Sequence, residues 1–112
     1  MMNDKDMQKS FEESGSIYPK VDYTTIEKLM EKVTYKCHVV ENTTTTVIVG
    51  MIPIGPINFT LCTEIMACVD PRNFNKEKGE KYGIEKAAIS AKNKLWELEG
   101  YALANRIWVT IK

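Results

Sequence analysis

The sequence predicts an α+β fold: a short N-terminal helix, an antiparallel β-hairpin or three-stranded sheet, and a long C-terminal helix packed on it. Three observations predict this class. After Asp70-Pro71 the chain runs to its end without another proline, which favours one long helix. Before that point, apolar residues alternate with a period of two, as in half-buried strands. Further upstream, a short stretch has the spacing of an amphipathic helix.

The chain is expected to hold one folded domain. Its 112 residues are enough for a single modest core. Residues 1–20 carry many charges and few apolar side chains. This composition predicts a flexible N-terminal arm, which would dock through Phe11, Ile17 or Tyr18. Residues 21–112 are then expected to form the α+β domain.

A short helix is predicted to start at Thr24 and to end near Lys32. Thr24 and Glu27 have the spacing of a capping box, in which each side chain satisfies a backbone donor at the start of a helix. The apolar residues recur at helical spacing and form one stripe: Ile26, Leu29, Met30 and Val33.

Strands are predicted downstream of this helix. From Thr34 to Val49 the residues alternate or are β-branched, and both features suit a pleated sheet. The segment Ile52–Pro56 is expected to be a turn or loop, since its two prolines cannot donate to a central ladder. Residues 57–66 alternate plainly and should pair back as a hairpin strand. The odd-numbered residues of that strand are expected to face the core: Ile57, Phe59, Leu61, Thr63 and Ile65.

The long helix follows the corner at Asp70–Phe74. Its apolar residues recur at steps of four and three: Ile84, Ala88, Ala91, Leu95, Leu98 and Ala102. The alanines let a partner approach closely. Gly79 and Gly83 each weaken the helix by about 1 kcal/mol relative to alanine, so close packing against the sheet, or a ligand, must offset them. Residues 107–111 fit either a last helical turn or a short strand.

Charge and composition argue against several function classes. Lysine plus arginine equals aspartate plus glutamate, at 15 each, so no basic surplus favours binding to nucleic acid or to an anionic membrane. No apolar run approaches the roughly 20 residues that span a bilayer, and the start of the chain lacks the apolar region of an export signal. The three cysteines, Cys37, Cys62 and Cys68, are expected to be reduced thiols in a cytosol.

The sequence contains no catalytic or metal-binding constellation. His38 is the only histidine and lies on a predicted strand, where a surface or half-buried position is expected. Cys37 and His38 are adjacent, so a strand points them to opposite faces. Glu97 and Glu99 are two apart and do not share a helical face. We therefore expect no enzyme activity, no cofactor and no metal.

One group of candidate ligand-binding residues lies late in the long helix: Trp96, Tyr101 and Arg106. Aromatic faces beside a cation suit stacking on a base and neutralising a phosphate, or a contact with another protein. Alternatively, the two aromatic side chains only cover the core or an oligomer interface.

A second group of candidates lies at the start of the long helix. Arg72 and Asn73 could hold an anion there, together with backbone donors. Alternatively the corner is structural, with Asp70 as a turn and cap residue and Phe74 filling the core.

These residues form a longer pattern: Ala67-Cys68-Val69-Asp70-Pro71, Asn73-Phe74, Gly79, Ala87, Ala91, Leu95-Trp96, Leu98-Glu99-Gly100-Tyr101, Leu103 and Arg106. In this pattern the chain resembles the small tailed-phage protein family called the gene forty-nine / gene sixty-six family, over roughly Ile26 to Ile107. It departs from the family at Pro53–Pro56, which replaces an Asn-Gly-type turn with a longer loop, and at Ile65-Met66, where members favour Glu-Ser. The resemblance implies a phage origin and no settled activity.

Several hypotheses about function follow. The first is a non-enzymatic binding protein in phage–host conflict that sequesters a nucleotide-type defence signal in the host cytoplasm. The second is a host-takeover module that binds a host protein, and the third is a structural or oligomerisation protein without a small ligand. An enzyme acting on a nucleotide has the least support, since no catalytic base is visible. A homo-oligomer is expected, because a small sheet covers little of the long helix.

Overall fold

The computed structural model describes residues 20–110 and confirms the predicted α+β class. Along the chain it has α1 (Tyr23–Met30), β1 (Thr34–Val39), β2 (Thr45–Ile54), β3 (Ile57–Ala67), a 3-10 turn (Pro71–Asn73) and α2 (Lys76–Thr110). The three strands form an antiparallel sheet in the order β1-β2-β3. The predicted docking residues of the N-terminal arm, Phe11, Ile17 and Tyr18, lie outside the described residues.

The N-cap of helix α1 lies two residues earlier than Thr24, the N-cap of the predicted capping box. Asp22 is the N-cap and Tyr23 the first helical residue, so Thr24 lies within the first turn and the predicted capping box is wrong. The predicted apolar stripe is confirmed. Ile26 is fully buried in a core cluster with Ile52, Leu61, Ala91 and Leu95, and the rest of the stripe packs against it: Leu29, Met30 and Val33.

The turn between β2 and β3 is shorter than predicted. Residues Ile52–Ile54 belong to β2, and only Gly55 and Pro56 form the turn, so the expected longer loop is wrong. Gly55 has φ of +55°. A positive φ at the first position, followed by a proline with its fixed negative φ, corresponds to the type II′ hairpin turn.

Pro53 is accommodated in β2 because it lies beyond the end of β1. The last residue of β2 that pairs with β1 is Met51. Ile54 and Ile57 flank the two-residue turn and form a hydrogen-bonded pair. The next pair, Pro53 and Asn58, is then a non-hydrogen-bonded pair, so the nitrogen of Pro53 faces away from β3. Its missing donor therefore removes no bond from the sheet, as at an edge position.

A β-bulge in β3 reverses the predicted inward face. Gly50 pairs with Cys62 but Met51 pairs with Thr60, which leaves Leu61 as an extra residue. At the bulge, odd-numbered Leu61 is buried as predicted, whereas Ile57 and Phe59, which precede it, are 65% and 41% exposed. After it, even-numbered residues face α2, and Ile65 is 59% exposed. The prediction that the odd set faces the core throughout is therefore wrong, because a bulge changes the parity of a strand.

Helix α2 lies close to the sheet because small residues form its contact line. Positions Gly83, Ala87 and Ala91 are fully buried against the strands. A Cβ on Gly83 would lie 2.7 Å from Cγ1 of Ile48 and 3.2 Å from Cγ of Met66. The predicted close packing that offsets this glycine is therefore confirmed.

The predicted apolar seam of α2 is correct only in its middle. Ala91 and Leu95 are buried, and Ile84, Ala88 and Ala102 are half-buried, but Leu98 is 39% exposed. The helix is continuous to Thr110, so residues 107–110 are helical rather than a strand. At 1.5 Å per residue its 35 residues span roughly 52 Å, longer than any strand. No helix in the described part of the chain is apolar enough over a sufficient length to cross a membrane.

Candidate functional site

A pocket of about 160 Å³ lies where the start of α2 meets β2 and the end of β3. Apolar and aromatic residues make much of its lining: Met66, Ala67, Cys68, Phe74, Gly79 and Tyr82. Its polar lining consists of Thr44, Thr46, Asn73, Asn75 and Lys78. An apolar pocket with a few convergent polar groups is the usual form of a small-ligand site. We call it the N-terminal pocket of α2.

Thr46 is the unusual residue of this pocket. It is 0% exposed, and its Oγ1 has no hydrogen-bond partner among the described residues. It faces inward because the even-numbered residues of β2 face the helix, and a Cβ on Gly79 would lie only 3.3 Å from Oγ1. A buried hydroxyl without a partner costs on the order of 1–3 kcal/mol. Because Thr46 has no exposed surface, a ligand that accepts a hydrogen bond from it recovers that cost only when the lining of the pocket moves aside.

Two sources of positive charge lie at the same place, beside the acidic Glu77 in the first turn of α2. Asn75 precedes α2, and its Oδ1 accepts a hydrogen bond from the backbone N–H of Lys78 at 3.0 Å. The start of a 35-residue helix carries a partial positive charge from its aligned peptide dipoles. The ammonium group of Lys78 adds a full charge to the lining of the pocket. Together these groups favour the anionic or polar end of a ligand.

The corner before α2 contributes one of its two predicted site residues to this pocket. Asn73 lines it, but Arg72 does not. Arg72 is bound to Asp70, with its Nε 3.0 Å and its Nη2 2.6 Å from carboxylate oxygens of Asp70. The hydrogen bonds from Arg72 hold the pKa of Asp70 below its ordinary value. Asp70 also caps the 3-10 turn, since its Oδ1 accepts from the backbone N–H of Arg72 at 2.9 Å.

The structural interpretation of this corner is correct for Asp70 and wrong for Phe74. Asp70 is the predicted turn and cap residue. Phe74 is half-buried and lies in the wall of the N-terminal pocket, outside the core cluster.

The predicted aromatic and cationic group of late α2 is spread around the helix. Trp96 is half-buried against the core cluster, whereas Tyr101 is 73% exposed and Arg106 is exposed. A step of five residues rotates a helical position by about 140°, so neither Trp96 and Tyr101 nor Tyr101 and Arg106 share a face. None of the three lines the N-terminal pocket, which lies near the other end of α2.

A serine, a lysine and a carboxylate meet between α2 and β3. The hydroxyl of Ser90 donates to Glu64, and Nζ of Lys86 lies 3.5 Å from the second carboxylate oxygen. The hydrogen bond from Ser90, followed by the charge of Lys86, holds the pKa of Glu64 below its ordinary value. A carboxylate with a lowered pKa is a weak base and is poorly suited to activate a serine. The arrangement is suited to joining the helix to the sheet.

The cysteines and the histidine are placed as the strand pattern predicts. Cys37, Cys62 and Cys68 are free and half-buried. Cys37 faces α2 while His38 is exposed on the other face. The Cys62 thiol donates to the carbonyl of Ala87 at 3.3 Å, and burial raises the pKa of this thiol. Within residues 20–110, no cluster of His, Cys, Asp or Glu could hold a metal ion.

Sequence reasoning did not single out Thr46 or Lys78 as site residues. The burial of Thr46 could have been predicted. Thr46 is even-numbered, like Ile48 and Ile52, and alternate residues of a strand lie on the same face, here the apolar one. No comparable signal pointed to Lys78. Its role depends on where the start of α2 lies relative to β2, which is a tertiary property.

Comparison with known proteins gives one family. The family model described as "Phage protein (N4 Gp49/phage Sf6 gene 66) family" matches residues 20–107, which is most of the chain. No curated protein and no solved structure matches the chain. The matched range includes every residue of the N-terminal pocket.

Proposed function

Because the chain belongs to the Phage protein (N4 Gp49/phage Sf6 gene 66) family, we propose that it is a non-enzymatic binding protein that acts in phage–host conflict. Its role is to sequester a nucleotide-type defence signal in the host cytoplasm. The unpartnered Thr46 hydroxyl in the N-terminal pocket carries this proposal.

Size determines how such a ligand would bind. A pocket of about 160 Å³ is close in size to a cavity of roughly 150 Å³ that holds one benzene molecule. It therefore takes a phosphate or sugar group rather than a whole nucleotide. The rest of the ligand would lie across Phe74 and Tyr82, whose rings border the pocket, and a base can stack on such rings.

Each polar group of the N-terminal pocket has a role in this proposal. The hydroxyl of Thr46 donates to the buried end of the ligand, while Lys78 and the start of α2 neutralise its charge. Asn73 and Asn75 supply side-chain amides at the mouth of the pocket. None of these groups is a general base, which favours sequestration over turnover.

The test is calorimetric titration of the full-length protein with cyclic dinucleotides and ADP-ribose derivatives. We expect binding by at least one of them, and chromatography of the bound fraction should return the ligand unchanged. Thr46→Val should weaken binding about tenfold or more, because a hydrogen bond to a charged group is worth about 1.5–3 kcal/mol.

Thr45→Val is the matched control, since Thr45 is the neighbouring threonine on the opposite face of β2. It should leave affinity unchanged. Thr46→Val should also raise the free energy of unfolding of the ligand-free protein by about 1 kcal/mol, because it removes an unsatisfied buried hydroxyl. The proposal fails if no ligand of the panel binds the folded protein, or if both valine variants bind equally well.

A further inference from the structure

A second surface lies at the opposite end of α2 from the N-terminal pocket. Seven large apolar side chains are exposed at the tip of the β2–β3 hairpin and on the late helix: Ile54, Ile57, Phe59, Leu98, Tyr101, Trp108 and Val109. We call this surface the apolar end. Three of these residues, Ile54, Phe59 and Leu98, lie together around one groove, and grouped apolar side chains mark interaction sites more often than singly scattered ones do.

The helical part of the apolar end is one face of α2. At 100° per residue, Leu98, Tyr101, Ala102, Trp108 and Val109 fall within an arc of about 120°. This is the width of the apolar stripe by which an amphipathic helix packs on a partner. The described part of the chain places no element against the outer half of this arc, where Tyr101 and Trp108 are 73% and 74% exposed.

A groove of about 380 Å³ continues the arc towards the hairpin. Leu95, Leu98 and Ala102 form its wall on α2, and Ile54 and Phe59 form its wall on the sheet. The small side chain of Ala102 lets another helix approach closely. The groove therefore has an apolar lining of the kind that binds the apolar face of a helix.

The lining of the groove also includes one cationic and one anionic side chain. Lys32, after α1, and Glu99, on α2, both line it. Among the described residues, neither forms an ion pair within 4 Å. A partner that offers one anion and one cation at matching positions would satisfy both.

We propose that the occupant of the groove is the late α2 of a second copy of this chain, in a twofold symmetric dimer. A twofold axis places Lys32 of each copy opposite Glu99 of the other, so the charge pattern is complementary to itself. The net charge of zero adds no long-range repulsion between copies.

The first experiment is sedimentation of the full-length protein over a range of concentrations. We expect a dimer that dissociates on dilution. Leu98→Lys should raise the dissociation constant more than about tenfold, as for the central residue of an interface. Ile89→Lys is the matched control, because Ile89 is 65% exposed on the same helix but lies outside the arc. Circular dichroism of both variants checks that each is folded.

The second experiment exchanges the charges. Lys32→Glu and Glu99→Lys should each form dimers more weakly than the wild type, because each variant places like charges opposite one another. An equal mixture of the two variants should recover the wild-type affinity as a heterodimer, since both of its contacts then join a lysine to a glutamate.

A monomer at every concentration overturns the proposal and assigns the apolar end to a host protein. The proposal is also overturned if Leu98→Lys and Ile89→Lys weaken the dimer equally. It is overturned as well if the mixture of the two charge variants does not recover the wild-type affinity. The nucleotide titration is independent of these outcomes, because the N-terminal pocket and the groove share no residue.

Discussion

At the scale of single residues, two polar side chains of the helix–sheet interface differ in their hydrogen bonding. Glu64 is bound by Ser90 and Lys86, while the hydroxyl of Thr46 has no partner among the described residues. Buried polar groups are usually hydrogen-bonded, so Glu64 follows the rule and Thr46 is an exception. Glu64 is therefore expected to contribute to stability, and Thr46 to binding.

The lowered pKa of Glu64 predicts a pH dependence of stability. Its folded pKa lies below the ordinary value of 4.5, so the carboxylate stabilises the fold above that value and the contribution is lost as pH falls through the folded pKa. In urea unfolding between about pH 6 and pH 3, the wild type should therefore lose more free energy of unfolding than Glu64→Gln.

Glu97→Gln is the control for this comparison. Glu97 forms an exposed pair with Lys94 at 3.3 Å, and exposed pairs of this kind contribute little. Its pH profile should match that of the wild type. Parallel profiles for the wild type and Glu64→Gln would contradict a stabilising role for the half-buried carboxylate of Glu64.

At the scale of elements, α2 shows what a sequence can and cannot predict. Its existence followed from the proline-free stretch, and the packing of Gly83 from the cost of a glycine in a helix. The residues of α2 that contact the sheet could not be predicted in the same way. A seam of Ile84, Ala88 and Leu98 has the same helical periodicity as the observed line of Gly83, Ala87 and Ala91. Steric fit against Ile48 and Met66 selects the smaller residues, and that fit is a property of two elements together.

Two glycines of α2 provide a matched pair of substitutions. Gly83→Ala should destabilise the protein by about 1–3 kcal/mol, since the added methyl group would overlap Ile48. Gly100→Ala should stabilise it by up to about 1 kcal/mol, because no atom lies within 4 Å of the added Cβ and alanine is the better helix former. Thermal or urea unfolding measures both. A stabilising Gly83→Ala would show that the helix is free to move away from the sheet.

At the scale of the whole molecule, the two ends of α2 have different surroundings. Its first half covers the sheet and closes the N-terminal pocket, whereas its second half extends from the core towards the apolar end. The sequence predicted a helix longer than its sheet and hence self-association. It did not predict the N-terminal pocket, which depends on the relative placement of β2, β3 and α2.

This asymmetry predicts a pattern of amide hydrogen exchange. Amides of Gly83–Leu95 should exchange slowly at any protein concentration, because the sheet covers that half of the helix. Amides of residues 98–109 should exchange faster, and their exchange should accelerate on dilution if a second copy protects them. Mass spectrometry of peptides from the two halves measures the difference. A concentration-independent rate in the second half would contradict protection by dimerisation.

The β-bulge at Leu61 has a consequence for changes in the length of the chain. The bulge leaves one residue of β3 outside the regular ladder, between Thr60 and Cys62. Deleting Leu61 would therefore restore regular pairing without turning any other side chain over, at the cost of one core residue. Deleting Thr63 would instead move Glu64 to the open face and Ile65 under the helix. Natural or engineered shortening of this strand is thus expected to be tolerated at one position and harmful at its neighbours.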